Sequence, residues 1–339
     1  MVLEKKSTTT TATSDEGESV GLTALRAVFA AMQEADGTAV TPVALTRTLG
    51  IPHFEQQDSQ EFWKLLLPVL EAPQLTDLYQ GAFEDYIVAQ DGSGRQRRRE
   101  EAFLDISLDV TDQGSVMSSL KTAFGQAELL SVAEGNGWRP SKGEDKVDAL
   151  KGCQLKVQGL PPILQLHLKR FTYDWNRDVM EKSNVPFHFD AELDLTALCQ
   201  NATESDDTAK APETGDIDES AIYDLQAVVI HVGQYNVGHY YAYVRPNVDE
   251  NRWFRINDDE IDEVTFEQVL ADGVGGKADN KNGNGSSNKR GLFQRLAGIF
   301  GGGSNAGSFD GPFGFGGSTA NAYVLQYVKR SERQRLYNP

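Results

Sequence analysis

His239 and Asn257 are the residues of this sequence best suited to do chemistry together. His239 sits in Gly238-His239-Tyr240-Tyr241-Ala242-Tyr243-Val244, and Asn257 ends Trp253-Phe254-Arg255-Ile256-Asn257, ahead of Asp258 and Asp259. A thiol or hydroxyl protease needs a histidine followed by an Asn or Asp at a strand end. The imidazole is the general base, and the Asn or Asp holds its tautomer and orientation. The same residues also suit a plainer part, a half-buried histidine at a strand end beside a polar turn, because histidine is of intermediate burial. Gly238 removes side-chain bulk next to the imidazole, which leaves room for another chain to pass close by.

The elements that would position this pair follow from hydrophobic patterning. Ala227 to Val232 is a continuous apolar run, and the short gap Gly233-Gln234-Tyr235-Asn236-Val237 separates it from the His239 run. Two β-rich runs joined by a short Gly-containing turn read as a hairpin, with His239 near the start of its second strand. Trp253 to Asn257 is a third strand, and Ala322 to Val328 is a closing one.

Upstream, Met1 to about Val20 is Thr-, Ser- and Glu-rich and is expected to be disordered. Leu22, Leu25, Val28, Phe29 and Met32 recur at helical spacing, and Gly37 ends that helix. A short helix is expected near Pro42 to Leu49. Asp58 with Glu61 three residues later is a helix-start signal ahead of Leu65 to Leu70. Phe83 to Ala89 and Ala102 to Val110 read as strands, with Arg95, Arg97, Arg98 and Arg99 at the tip between them. Glu100 and Glu101 cancel part of that charge, as on a solvated hairpin tip. Val116 to Phe124 reads as a helix and Gly135 to Asp145 as a loop.

Pro161 and Pro162 separate two strands, the second running from Ile163 to Arg170. His167 lies on its more polar face and reads as structural. Thr172 to Ser183 is expected to be a polar loop, and Val185 to Phe189 a short strand. The acidic stretch around 201–220 and the Gly-, Asn- and Ser-rich stretch around 272–318 are expected to be disordered insertions. A helical turn is expected at Thr265 to Leu270. Helices first and then many strands indicate an α+β fold.

Composition narrows the function. Among 339 residues, 32 are Lys or Arg and 50 are Asp or Glu, a net charge of −18. Such an acidic chain disfavours nucleic acid as a partner and favours basic ones. There are two cysteines, Cys153 and Cys199, and no Cys-x-x-Cys pair, so neither a disulfide framework nor a structural metal site is expected. The start has no apolar core of a secretory signal, and no run approaches the ~20 apolar residues of a membrane span. A cytoplasmic or nuclear location is the expectation, with no cofactor.

Five motifs occur in a fixed order: Gln56-Gln57-Asp58-Ser59-Gln60-Glu61-Phe62; Leu160-Pro161-Pro162-Ile163-Leu164 through Lys169-Arg170-Phe171; Gly238 to Tyr243; Trp253 to Asp259; and Ala322-Tyr323-Val324-Leu325. Together they resemble the ubiquitin-specific proteases, most of all their herpesvirus-associated branch. The resemblance covers about residues 21–330, with 331–339 as a tail. It implies a papain-like fold of thumb, palm and fingers, here with metal-free fingers, and ubiquitin or ubiquitinated proteins as partners.

By this resemblance His239 matches the catalytic base, Asn257 the residue that orients it, and Asp258 the neighbouring polar position. Asp58 matches an acidic contact to the basic tail of ubiquitin. Gln56 and Tyr240 fall at further ubiquitin-binding positions, and the loops 172–183 and 233–237 match the two that fold over the tail.

The family's nucleophile lies in a Gly-x-x-Cys-Tyr-x-Asn box at a helix N-terminus, where the thiol pKa is lowered. Neither Cys153 nor Cys199 has such surroundings. The chain is therefore expected to be an N-terminally truncated thiol-dependent ubiquitin hydrolase, with a catalytically inactive ubiquitin-binding pseudoprotease as the alternative. Within the second insertion, residues 289–300 carry Leu292, Phe293, Leu296, Ile299 and Phe300 on one helical face beside basic residues. That patterning admits weak docking to a membrane or a partner.

Overall fold

A computed structural model describes residues 19–35, 39–52, 57–200, 221–235, 237–276 and 319–337. Four helices come first: α1 (Val20–Glu34), α2 (Val43–Thr48), α3 (Ser59–Leu70) and α4 (Pro73–Tyr79). The Ser19 hydroxyl accepts from the Leu22 backbone N–H and caps α1. Asp58 caps α3, its Oδ1 accepting from the N–H groups of Gln60 (2.8 Å) and Glu61 (3.0 Å). The Asp-and-Glu start signal read from the sequence is thus the real start of the helix. Leu66, Leu70 and Ala72 form a small core with Leu22, Leu25 and Leu49 packed against it. Helices α1 and α3 approach closely at Gly21, where a Cβ would stand 2.8 Å from the Val69 carbonyl oxygen.

The strands follow: β1 (Gly81–Ala89), β2 (Gln96–Phe103) and β3 (Ile106–Asp109); then α5 (Val116–Gly125), β4 (Glu128–Leu130), β5 (Ala149–Leu155) and β6 (Ile163–Lys169). Next come β7 (Phe171–Asp174), β8 (Val179–Lys182), β9 (Glu192–Asp194), α6 (Thr196–Gln200), β10 (Ile222–Gln234) and β11 (Val237–Val244). The series ends with β12 (Trp253–Asn257), β13 (Glu260–Val264), α7 (Phe266–Gly273), β14 (Asn321–Lys329) and α8 (Arg333–Tyr337).

One antiparallel sheet has the order β2-β1-β5-β4. The larger has the order β13-β12-β11-β10-β14-β6-β3, with β9 also paired to β10. Only β3 pairs in parallel, with β6. The main core lies on this larger sheet, where Leu164, Leu166, Leu168, Tyr223, Leu225 and Leu325 are fully buried. Among the described residues no helix is long and apolar enough to cross a membrane.

Several expectations change. Ala102 to Val110 is not one strand: the chain turns at Leu104 and Asp105, so β2 and β3 belong to different sheets. The buried Asp105 carboxylate fixes that corner to α3, accepting from Gln60 Nε2 (2.6 Å) and lying 3.4 Å from Lys64 Nζ. Arg97, Arg98 and Arg99 lie within β2 rather than on the tip. Arg98 pairs with Glu84 across β1, Arg99 with Glu101, and Arg95 with Asp91 and Glu144.

Residues 172–183 are mostly not loop but the hairpin of β7 and β8. Tertiary packing overrides their polarity: Phe171 packs against His231, Tyr235 and Tyr323, and the Lys182 side chain is buried. Val185 to Phe189 is not a strand and makes only one isolated bridge, His188 to Ser115, in keeping with Pro186 lacking a donor. The expected disordered stretches 1–20, 201–220 and 272–318 lie mostly outside the described residues, as does the segment 289–300. Ser19 and Val20, however, begin α1, and Asp272 and Gly273 still belong to α7, which runs to Gly273 because Val269 packs into the core.

Candidate active site

Strands β10 and β11 pair without interruption from Ala227↔Val244 to Gln234↔Val237, the predicted hairpin but with a tighter turn: Gly233, Gln234 and Val237 of the expected loop 233–237 are held in the strand ladder. β12 adds to β11 through Ala242↔Ile256 and its neighbours. Side chains alternate across a sheet, so His239, Tyr241 and Tyr243 share one face of β11 and Tyr240 takes the other. Asn257, at the end of β12, comes to the His239 side.

His239 Nε2 lies 2.6 Å from Asn257 Oδ1. An amide oxygen only accepts, so Nε2 carries a proton, and in the neutral ring Nδ1 is the nitrogen with the lone pair. Asn257 is 3% exposed, which makes it a fixed partner, whereas a quarter of the His239 side chain is open to solvent. Asp258 Oδ2 is 3.7 Å from the same Nε2, too far for a hydrogen bond, and its side chain is 69% exposed. Asp258 occupies the left-handed region, φ 54°, in the tight turn between β12 and β13, a position that Asp tolerates better than most residues.

The framework under the pair is rigid. Trp253 is buried, stacks on Phe266 at 5.6 Å, and carries the Arg245 guanidinium over its ring at 5.3 Å. Tyr241 and Tyr243 both donate to Asp272 Oδ2, at 2.9 and 2.7 Å, and so tie β11 to α7. Burial, reinforced by the Asp272 charge, raises both phenols above their ordinary range, so they remain donors.

The opposite face of β11 holds a second cluster. Asp58 Oδ2 accepts from Tyr240 Oη at 3.3 Å and from Tyr323 Oη at 2.5 Å, while its Oδ1 caps α3. The rings of Tyr240, His231 and Tyr323 lie together, with Phe171 and His167 against Tyr323. His167 is the structural residue expected: its Nδ1 is 3.1 Å from Ser107 Oγ, and burial lowers its pKa.

Beneath this cluster Lys182 Nζ donates to the carbonyls of His231 (2.9 Å) and Thr319 (2.7 Å). Burial, with the Arg170 charge second, lowers Lys182 to about 7. Burial, with the Lys182 charge second, lowers His231 to about 3. Gly238 serves this face, not a passing chain: a Cβ there would meet His231 Nε2 at 2.3 Å and the Val232 carbonyl oxygen at 2.6 Å.

The structure thus brings together His239, Asn257 and, less closely, Asp258, and separately Asp58 with Tyr240. Gln56 lies outside the described residues. Sequence reasoning missed Tyr323, Lys182 and His231 as parts of the neighbouring cluster. Tyr323 is 265 positions from Asp58, so no local pattern marks the pair.

Neither cysteine is a ready nucleophile. Cys153 belongs to β5 in the smaller sheet, where burial and the Asp85 carboxylate, 3.8 Å from its sulfur, raise the thiol pKa. Cys199, in α6, is buried and pushed up to about 11. Because the thiolate is the reactive form, these surroundings disfavour both thiols as nucleophiles.

Comparison with known proteins bears directly on this geometry. The family model described as ubiquitin carboxyl-terminal hydrolase matches residues 1–327. Ubiquitin carboxyl-terminal hydrolase 15 of Schizosaccharomyces pombe is 31% identical over 315 residues, covering 88% of this chain and 24% of that protein. Ubiquitin C-terminal hydrolase 13 of Arabidopsis thaliana is 28% identical, covering 92% of this chain and 26% of the relative. Ubiquitin carboxyl-terminal hydrolase 7 of Drosophila melanogaster is 27% identical, covering 95% and 24%. The chain therefore spans about a quarter of the length of these relatives.

Among solved structures, the SAGA DUB module Ubp8/Sgf11/Sus1/Sgf73 bound to monoubiquitin contains a chain that matches with a TM-score of 0.56. The match has 21% identity and covers 85% of this chain and 52% of that one. That likeness gives the fold, the papain-like α+β architecture of ubiquitin-specific proteases. With the family model spanning nearly the whole sequence, the chain belongs to the ubiquitin carboxyl-terminal hydrolase family.

Proposed function

We propose that this chain is the base-bearing part of a deubiquitinating cysteine peptidase that cleaves after the C-terminal glycine of ubiquitin. The single observation that carries the reading is the 2.6 Å contact of His239 Nε2 with the buried Asn257 Oδ1, which leaves Nδ1 free as a base. His239 Nδ1 takes the thiol proton as the sulfur attacks the carbonyl carbon, and returns it to the leaving amine. Water then attacks the thioester with His239 again as base, releasing ubiquitin and the thiol. Asn257 keeps the ring in this tautomer, and Asp258 supplies a weaker field from solvent.

The nucleophile in this reading is a cysteine from a segment outside these residues, since Cys153 and Cys199 are both held protonated. Asp58 and Tyr240 face the basic tail of ubiquitin, and Gln56 is a further ubiquitin-binding residue by the same resemblance. The order of the motifs favours the herpesvirus-associated branch, and with no Cys-x-x-Cys pair the fingers are metal-free in this reading. Ubiquitinated proteins of the cytoplasm or nucleus are the substrates.

The test uses the purified 339-residue chain. It should bind ubiquitin, release no fluorophore from a ubiquitin C-terminal amide, and form no adduct with a ubiquitin vinyl sulfone. Fusion of a family Gly-x-x-Cys segment ahead of it should create hydrolysis. An adduct mapped to Cys153 or Cys199 would overturn the assignment of the nucleophile, and failure to bind ubiquitin would overturn the function.

A further inference from the structure

The Asp58 carboxylate is saturated. Its Oδ1 receives two backbone N–H groups, at 2.8 and 3.0 Å, and its Oδ2 two phenols, at 2.5 and 3.3 Å. An ionised carboxylate offers about four lone-pair sites, and all four are taken. An arriving cation must displace one donor. The two N–H groups belong to the first turn of α3 and cannot leave without uncapping it.

The two phenols are unequal. Tyr323 makes the short bond and is 4% exposed, with the rings of Phe171, His167, His231 and Tyr240 within 6.3 Å of its own. Tyr240 makes the long bond and is only half-buried.

Resting on the ubiquitin reading above, we propose that Tyr323 is a positioning residue for tail recognition. It anchors Asp58 throughout, while Tyr240 is the donor that a basic side chain of the ubiquitin tail replaces. Tyr323 acts through Asp58 and need not touch ubiquitin. Its ring is held by β6, β10, β11 and β7, so its hydroxyl marks one fixed point to which the start of α3 is tied. Burial and the nearby Asp58 carboxylate raise both phenols, which keeps them O–H donors. Without the Tyr323 hydroxyl, Oδ2 loses its short, charge-assisted bond, and the carboxylate swings between orientations before the tail arrives.

The experiment measures the affinity of the full chain, by calorimetry, for intact ubiquitin and for ubiquitin cut before its arginine-bearing tail. Tyr323→Phe should weaken binding of intact ubiquitin about tenfold, the scale of one charge-assisted hydrogen bond, and leave the truncated form unchanged. Tyr240→Phe should cost less affinity than Tyr323→Phe, since the Tyr240 bond to Asp58 is given up on binding. Asp58→Asn keeps the cap and removes the charge, so adding Tyr323→Phe to it should cost nothing more.

An equal loss toward both ubiquitins, or full additivity with Asp58→Asn, would overturn the proposal. If Tyr323→Phe does not fold, Tyr240→Phe and Asp58→Asn decide. A loss in the former as large as that in the latter, or no loss in the latter, overturns it; a clearly smaller loss in the former supports it. Failure of the unaltered chain to bind ubiquitin at all sinks the functional reading, a result distinct from these.

Discussion

The two faces of β11 treat their polar groups in opposite ways. On one, His239 has a single buried partner and an open nitrogen. On the other, the Asp58 carboxylate has every lone pair occupied, and burial lowers the pKa of both Lys182 and His231. Adjacent residues of one strand, His239 and Tyr240, belong to these two regimes. A group meant to move a proton needs an unfilled site at a fixed angle. A group meant to hold an element in place is worth most when fully satisfied, because an unpaired buried polar atom costs about 1–3 kcal/mol. In the proposed function the first face does the chemistry and the second serves architecture and recognition.

The sharpest way to break this division is at His239 and Asn257. In a fusion that supplies the cysteine, His239→Ala should lower kcat/KM for a ubiquitin–fluorophore amide by about a thousandfold or more, with little change in melting temperature. Asn257→Ala should lower it less, since an orienting group is removed and the base remains. Equal rates in the wild-type fusion and the His239 variant would transfer the chemistry elsewhere.

The second face is probed by pH. The folded pKa of Lys182, about 7, lies below the unfolded value of 10.5, so between them the unfolded chain binds more protons and stability rises with pH. From pH 7 to about 8.5 the gain should approach 1.4 kcal/mol per unit, before the thiols act in the opposite sense. Cys153 and Cys199 are raised in the fold, so they ionise first in the unfolded chain. Lys182→Met should flatten this rise in denaturant melts, and a persisting slope would assign it to another group. His231, lowered to about 3, adds a further loss of stability as pH falls from about 6.5 toward 3.

The smallest effect is expected at Asp258. At 3.7 Å and largely in water, its charge is screened, so Asp258→Asn should change turnover of the fusion by less than about threefold. Asn also keeps the left-handed turn, so stability should not move. A loss as large as that of Asn257→Ala would make Asp258 the orienting residue instead.

Much of the first face was legible in the sequence. The apolar run, the Gly-containing turn and the strand-end amide are local signals, and together they specify a hairpin, a third strand and the residues at their ends. The start of α3 was equally plain, because a cap and its Glu act within one turn. Less was legible where polarity and packing disagree. Phe171 and Lys182 looked like the edges of a polar loop, yet they bound a hairpin seated in the aromatic cluster. Gly238 looked like a clearance for another chain, yet it makes room for a neighbouring imidazole.

What the sequence determined by itself is the local elements with strong period and turn chemistry: the hairpin that carries His239 near the start of its second strand, the strand that Asn257 ends, and the helix that Asp58 starts. Those features depend on period, turn chemistry and capping, all of which act over a few residues. Only the tertiary structure decided that Asn257 is close enough to hold His239 and that Asp258 is not. It alone decided that Tyr323, from the last strand, saturates a carboxylate near the start of the chain. Such partners meet through sheet order, and sheet order is set by how the whole core packs, which no short stretch encodes.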